Sequence, residues 1–237
     1  MDIKKYMMSL RRYVLSPSSV LIALLLIISA GMMNCNGKGE KTAGTTTTSN
    51  APEPSATLPD QTAPAAPSPT PQQNSTVDTQ VFNDAALNGE LEKVKELMGQ
   101  GADPNGVDQE GRTALMFASF NGHTEIVRLL LDAGSEVSIR DAMGRTALLF
   151  ASTGPFAETV KLLLDHHADP NIVDNDEHFS PLMHAAAEGQ LEVVKLLLGR
   201  GADPALKDID GETAALFARN NGHTEVAGLI QSALDAK

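Results

Sequence analysis

The strongest constraint on this chain is an internal repeat. Asp108, Asp141, Asp174 and Asp208 stand 33, 33 and 34 residues apart. Five residues beyond three of them lie Thr113, Thr146 and Thr213; in the third copy Ser180 lies six beyond, so one residue is inserted near Glu177-His178. The segments that follow align as Thr-Ala-Leu-Met-Phe-Ala at 113, Thr-Ala-Leu-Leu-Phe-Ala at 146, Ser-Pro-Leu-Met-His-Ala at 180 and Thr-Ala-Ala-Leu-Phe-Ala at 213. Further on, Val127-Arg128-Leu129-Leu130-Leu131 matches Val160-Lys161-Leu162-Leu163-Leu164 and Val194-Lys195-Leu196-Leu197-Leu198. A fixed period of this length means stacked units, none of which can bury its apolar face alone.

Each unit reads as two short helices. Thr113 can cap the first with its hydroxyl, and Leu115, Met116, Phe117 and Ala118 supply its apolar side. Gly122 stops it. Thr124 and Glu125 open the second, where acid favours the positive dipole end. Ile126, Val127, Leu129, Leu130 and Leu131 recur at helical spacing as its packed stripe. Gly101, Gly134 and Gly201 end their helices in the left-handed conformation that suits glycine. His167 holds that place in another unit, and His tolerates positive φ better than most residues.

The aligned segments, together with Gly122-His123-Thr124-Glu125, Gly222-His223-Thr224-Glu225 and the Gly-Ala-Asp-Pro stretches at 101–104 and 201–204, resemble the ankyrin family closely. An earlier, degenerate unit starts near Asp78, and Phe82 to Gly89 looks like that family's N-terminal cap. The resemblance implies an all-α solenoid over 78–237, with β-turn fingers between units at about 78–107, 108–140, 141–173, 174–207 and 208–237. Met116, Leu149, Met183 and Leu216 stand where the family usually has His.

The resemblance also implies a function: a non-enzymatic scaffold that binds a partner protein on the concave surface of fingers and first helices. Partners of the family touch residues around the repeat-start Asp and just before the mid-repeat Gly. Matched position by position, these are Gln109, Glu110, Arg112, Phe120 and Asn121 in one unit. The next unit contributes Arg140, Ala142, Met143, Arg145 and Thr153, and the third Asn175, Glu177, His178, Ala187 and Glu188. The last contributes Lys207, Ile209, Asp210, Glu212, Asn220 and Asn221. Phe120 is expected to face solvent, because its equivalents Thr153, Ala187 and Asn220 are small or polar. With Met143 it would form an apolar spot ringed by Arg112, Arg140 and Arg145, suited to an acidic patch on the partner. A structural spacer or self-associating domain, and an inhibitor or protector of an enzyme, are the alternative readings; the domain itself is expected to be monomeric.

Charge and composition exclude other classes. Residues 78–237 carry 26 Asp and Glu against 12 Lys and Arg, a net of −14. Such a surface repels a phosphate backbone, and with two Tyr and no Trp few aromatics could stack on bases, so no nucleic-acid partner is expected. No nucleophile elbow, phosphate loop or HExxH helix occurs. His123 and His223 hold a regular structural position of the repeat, His166 belongs to the surface, and His184 replaces the Phe of Phe117, Phe150 and Phe217 as a half-buried residue. Asp174, Asp176 and His178 share a loop but lack a recognised ligand spacing, so neither metal nor cofactor is expected.

The N-terminal third has another character. Lys4, Lys5, Arg11 and Arg12 precede an apolar run from Val20 to Ile28, as in a secretory signal. The apolar stretch of about fourteen residues is short for a bilayer span. Cys35, the one cysteine, follows it and resembles the lipidated residue of a bacterial lipoprotein box, although Met32, Met33 and Asn34 depart from the usual residues. Lipidation at Cys35 is the leading reading of residues 1–35; an uncleaved anchor helix and simple cleavage after Gly31 stay open. Residues 36–77 hold Thr45 to Thr48 in a row and recurrent proline from Pro52 to Pro71, without apolar periodicity. They are expected to form a disordered tether of roughly 35 Å between a bacterial envelope membrane and the domain.

Overall fold

The computed structural model describes residues 77–236. The signal region, Cys35 and the tether up to residue 76 lie outside the described residues.

Ten helices form five pairs: α1 (Thr79–Leu87) with α2 (Leu91–Gly99), α3 (Ala114–Phe120) with α4 (Thr124–Asp132), α5 (Ala147–Ala151) with α6 (Ala157–Asp165), α7 (Pro181–Ala187) with α8 (Leu191–Gly199), and α9 (Ala214–Asn220) with α10 (Thr224–Asp235). Each first helix packs on its own second helix and on the first helices of adjoining pairs; second helices likewise meet second helices. The all-α repeat stack expected from the sequence is therefore what forms. Among the described residues there is no β-strand, only the isolated bridges Val107–Thr113 and Lys207–Thr213 that close two of the fingers.

The local reasons match the residues. The Thr113, Thr146 and Ser180 hydroxyls accept from the backbone N–H three residues on, at 3.3, 3.4 and 3.2 Å, and so start α3, α5 and α7. At α7 the Ser180 N–H donates to Met183 Sδ at 3.4 Å, so that methionine supplies the return bond of a capping box. Helix α5 ends early, after Ala151, where Thr153-Gly154-Pro155 leads directly into α6. The Ser152 hydroxyl donates to the Leu148 carbonyl at 2.8 Å and closes that turn.

Packing repeats with the sequence period. Val94, Val127, Val160 and Val194 form one fully buried ladder, and Leu97, Leu130, Leu163, Leu197 and Ile230 another. Between the first helices a row of small residues, Ala85, Ala118, Ala151, Ala185 and Ala218, is buried and lets the helices approach closely. One continuous apolar cluster runs from Phe82 to Ile230. A single removed methylene in such a core costs about 0.8 kcal/mol before any cavity term.

Polar clips link the units across the period. His123 Nε2 meets the Leu87 carbonyl at 3.0 Å, and its ring fills the space a Cβ on Gly89 would need. The Phe156 ring takes that place against Gly122 and Gly154, and the His223 ring against Gly189. On the opposite edge Asn105 Nδ2 donates to the Gly134 carbonyl and Asn171 Nδ2 to the Gly201 carbonyl. His167 adopts φ 65°, in line with the expectation for its helix end.

Candidate finger and first-helix face

Four fingers project between the helix pairs, each organised by one aspartate. Asp141 Oδ1 accepts from the N–H groups of Met143 and Arg145 at 3.0 and 2.8 Å. Asp108 does the same for Glu110 and Arg112, and Asp208 for Asp210 and Glu212. In the third finger Asp174 reaches the N–H groups of Asp176, Glu177 and Phe179, because the inserted residue widens the turn. His178 absorbs the insertion at φ 58°, a left-handed position that Gly111, Gly144 and Gly211 hold in the other fingers.

The fingers are joined tip to tip. Ala142 N–H donates to the Glu110 carbonyl (2.8 Å), Asn175 N–H to the Met143 carbonyl (2.8 Å), and Ile209 N–H to the Glu177 carbonyl (3.2 Å). These bonds consume the backbone groups of the tips and leave side chains to define the surface. Met143 is 43% exposed and Ile209 56% exposed, both large apolar groups at tips. An immobilised loop that shows apolar side chains to water is prepared for contact without a further ordering cost.

Beneath the fingers runs an aromatic row. The Arg112 guanidinium lies 4.9 Å from the Phe117 ring centroid, and that of Arg145 lies 4.6 Å from Phe150. Phe120 packs edge-on to Phe150, at 6.1 Å between centroids. Phe179 packs edge-on against His184 at 5.5 Å and Phe217 at 5.0 Å. His184 is thus the half-buried substitute that the alignment expects.

Two expectations are corrected here. Phe120 does not stand out in solvent; it is half-buried, and its contact with Phe150 ties one first helix to the next. The basic ring is also largely neutralised. Arg112 Nε and Arg145 Nε each donate to the finger aspartate, Asp108 or Asp141, at 2.8 Å, and Arg112 also reaches Glu110 at 3.0 Å. Arg140 alone of the three pairs with neutral acceptors, the Gly144 and Val173 carbonyls and Asn175 Oδ1.

The remaining positions divide by what they already do. Gln109, Glu110, Ala142, Asn175, His178, Lys207, Asp210 and Asn220 are exposed on fingers or helix ends, with Glu188 exposed at the end of α7. Glu177 and Glu212 are half-buried and Ala187 is buried. Asn121 and Asn221 are exposed, yet their amides donate to the Leu87 and Ala187 carbonyls at 2.7 and 2.9 Å and so serve as clips between units. Thr153 donates its hydroxyl to the Phe150 carbonyl at 2.8 Å. Phe150, Phe179 and Phe217 belong to the face but were absent from the expected set. The signal for Phe150 and Phe217 is the recurrence of Phe at the fourth helical step, read as core in the sequence; Phe179 precedes the Ser180 cap and has no counterpart in the other units.

Elsewhere, a shallow groove of about 460 Å³ crosses α4, α6 and α8, lined by Arg128, Glu158, Lys161, Asp165 and Leu196 among others. Its charges answer one another: Arg128 pairs with Glu158, and Asp165 with Lys161 and Arg200. Arg200 and Lys161 hold the Asp165 carboxyl below its ordinary range. Asp174, Asp176 and His178 do not assemble a metal site; among the described residues no three His, Cys, Asp or Glu come together in a way that could hold an ion. No described helix is long and apolar enough to cross a membrane.

No curated protein matches the chain at a significant level. The family model for ankyrin repeats in three copies matches residues 82–174, 134–208 and 182–236, in step with the helix pairs and fingers described above. With the match spanning well over half its length, the chain belongs to the ankyrin-repeat family.

Proposed function

We propose that this chain is a non-enzymatic scaffold of the bacterial cell envelope that holds a partner protein on its fingers and first helices. Ankyrin repeats generally mediate protein–protein contact and are typically not catalytic. The observation that carries the reading to this chain is the pair of exposed apolar tips, Met143 and Ile209, on fingers locked to their neighbours by backbone hydrogen bonds. Apolar anchors held rigidly among polar groups are how interfaces concentrate their binding energy. The basic n-region, the apolar run from Val20 to Ile28 and Cys35 support delivery to the envelope and a lipid anchor, with residues 36–77 as the tether.

The test is capture from envelope extracts in mild detergent, comparing the parent chain with a Met143→Glu/Ile209→Glu double variant. Both positions are exposed, so the variant keeps its fold. Loss of a co-purifying protein with the double variant is expected. Equal capture by both proteins overturns the finger face. A mass that rises with concentration and falls in the variant would instead make the partner a second copy.

A further inference from the structure

Cations are distributed unevenly over the repeat. Every lysine and arginine within α2, α4, α6 and α8 pairs with a carboxylate. Among the described residues, the cations that no carboxylate meets are Arg140, Lys207 and Arg219, all on fingers or on a first helix. Arg140 is also fixed in place. Its Nε donates to the Gly144 carbonyl at 2.9 Å, and its Nη2 donates to the Val173 carbonyl at 2.7 Å and to Asn175 Oδ1 at 3.2 Å. All three acceptors are neutral, whereas Arg112 and Arg145 are bound by Asp108 and Asp141 at 2.8 and 2.7 Å. The donors on Arg140 Nη1 stay uncommitted among the described residues. The arm lies tight across the finger: a Cβ on Gly144 would stand 2.7 Å from Nη2 and 2.5 Å from Asn175 Oδ1. Asn175 joins this place to the finger tip, because its backbone N–H donates to the Met143 carbonyl at 2.8 Å. An exposed guanidinium without a counter-ion therefore sits where the second and third fingers meet, beside Gly144 and next to the tip that carries exposed Met143.

We propose that this junction receives an aspartate or glutamate side chain of the partner protein, its carboxylate bound at Arg140 Nη1 and an adjoining apolar residue of the partner resting on Met143. The inference deepens the partner-binding reading and rests on it. Of the three arginines that suggest an acidic partner in the sequence, Arg112 and Arg145 are answered by finger aspartates, and the role falls to Arg140. An arm already held by three hydrogen bonds meets little further ordering cost on binding. A carboxylate at Nη1 adds a charge-assisted bond to a donor that has none. The acid of the wider domain does not cancel this attraction. At physiological salt, exposed charges farther away than roughly 8 Å are largely screened, and the carboxylate of the same finger, Asp141, is bound by Arg145.

The probe is the dipeptide N-acetyl-L-leucyl-L-glutamate amide, titrated into the ¹⁵N-labelled full-length chain in detergent. Backbone amide shifts and the Arg140 Nε–H signal follow the binding. Saturable shifts at Arg140, Met143 and Asn175 are expected, with binding about fivefold weaker for the glutamine counterpart. The net charge of −14 over residues 78–237 by itself favours the neutral peptide, so a preference for glutamate isolates the local site. Asn175→Asp keeps the acceptor at Oδ1 and gives Arg140 an internal counter-ion; it should abolish the preference and leave the fold intact. Arg140→Gln should abolish it as well. Equal binding of the two peptides by the parent chain, or a glutamate preference that survives either substitution, overturns the proposal. Inorganic phosphate that binds as well as the glutamate peptide also overturns it, since the place is then a general anion site. Because the probe needs no partner, these results are independent of the envelope capture: a failed capture beside an intact glutamate preference sinks the envelope reading alone.

Discussion

Phe120 and Phe150 meet edge to face, with ring planes at 90° and centroids 6.1 Å apart. The contact joins the end of one first helix to the middle of the next, so it belongs to the coupling between units. Edge-to-face pairs contribute about 0.5–1.5 kcal/mol beyond the area they bury. Phe120→Ala is therefore expected to cost about 1–3 kcal/mol of stability in denaturant unfolding. A Phe120→Leu variant should recover the burial and lose only the pair term. An unfolding midpoint unchanged by Phe120→Ala would mean that the ring lies loose on the surface.

Leu130 is fully buried in the ladder with Leu97, Leu163, Leu197 and Ile230. Its truncation to Ala should cost about 2–5 kcal/mol, the range for a core leucine that leaves a cavity. In a stack of units the loss also weakens coupling on both sides, so the unfolding transition should broaden as well as shift. A shift without broadening would show that the stack unfolds as a single block.

What the sequence revealed and what it hid follow from range. The Thr and Ser caps, the Gly positions at positive φ and the Val and Leu ladders are set within one unit or by strict repetition, and they appear in the sequence as period. The aspartate's hold on Arg112 and Arg145 is equally local, yet it hides because a charged residue on a loop reads as free surface until its partner is located. The environment of Phe120 depends on Phe150 in the next unit, a contact that no pattern within its own unit announces. Variation across units, which in the sequence marked Phe120 as exposed, here reflects a neighbour that varies too.

Asp165 sits on α6 and takes Arg200, the C-cap of α8, at 2.6 Å, as well as Lys161 on its own helix at 3.1 Å. Its pKa is lowered from 3.8, first by the Arg200 hydrogen bond and then by Lys161. A lowered folded pKa gives a contribution that is full above the unfolded value and fades as pH falls through the folded one. Arg200→Met should therefore raise the Asp165 carboxyl titration and leave the acid limb of stability shallower. Carboxyl carbon shifts followed from neutral to acid pH read this directly; an unmoved midpoint would show that Lys161 alone sets it.

The anchor has its own test. If Cys35 carries the lipid, Cys35→Ser should release the chain from membranes or leave an uncleaved precursor. Each buried acyl CH₂ contributes about 0.8 kcal/mol, and more than one chain makes the attachment stable. Fractionation with mass measurement checks it: a Ser variant that stays membrane-bound at mature size rules lipidation out.

His167 holds φ 65° where Gly101, Gly134 and Gly201 hold 90°, 88° and 87°. For a residue with a Cβ that conformation costs about 1–2 kcal/mol, whereas glycine accepts it freely. Glycine also loses more backbone entropy on folding, which returns part of the gain. His167→Gly should thus stabilise the domain by about 0.5–1 kcal/mol. The reverse change supplies the control. At Gly134 nothing lies within 4 Å of an added Cβ, so Gly134→Ala meets only the backbone term and should destabilise by about 1 kcal/mol. The two variants must move the melting temperature in opposite directions. If His167→Gly instead lowers it, the imidazole contributes more through its surroundings than the left-handed backbone costs, and the helix end is held by the side chain and not by the turn.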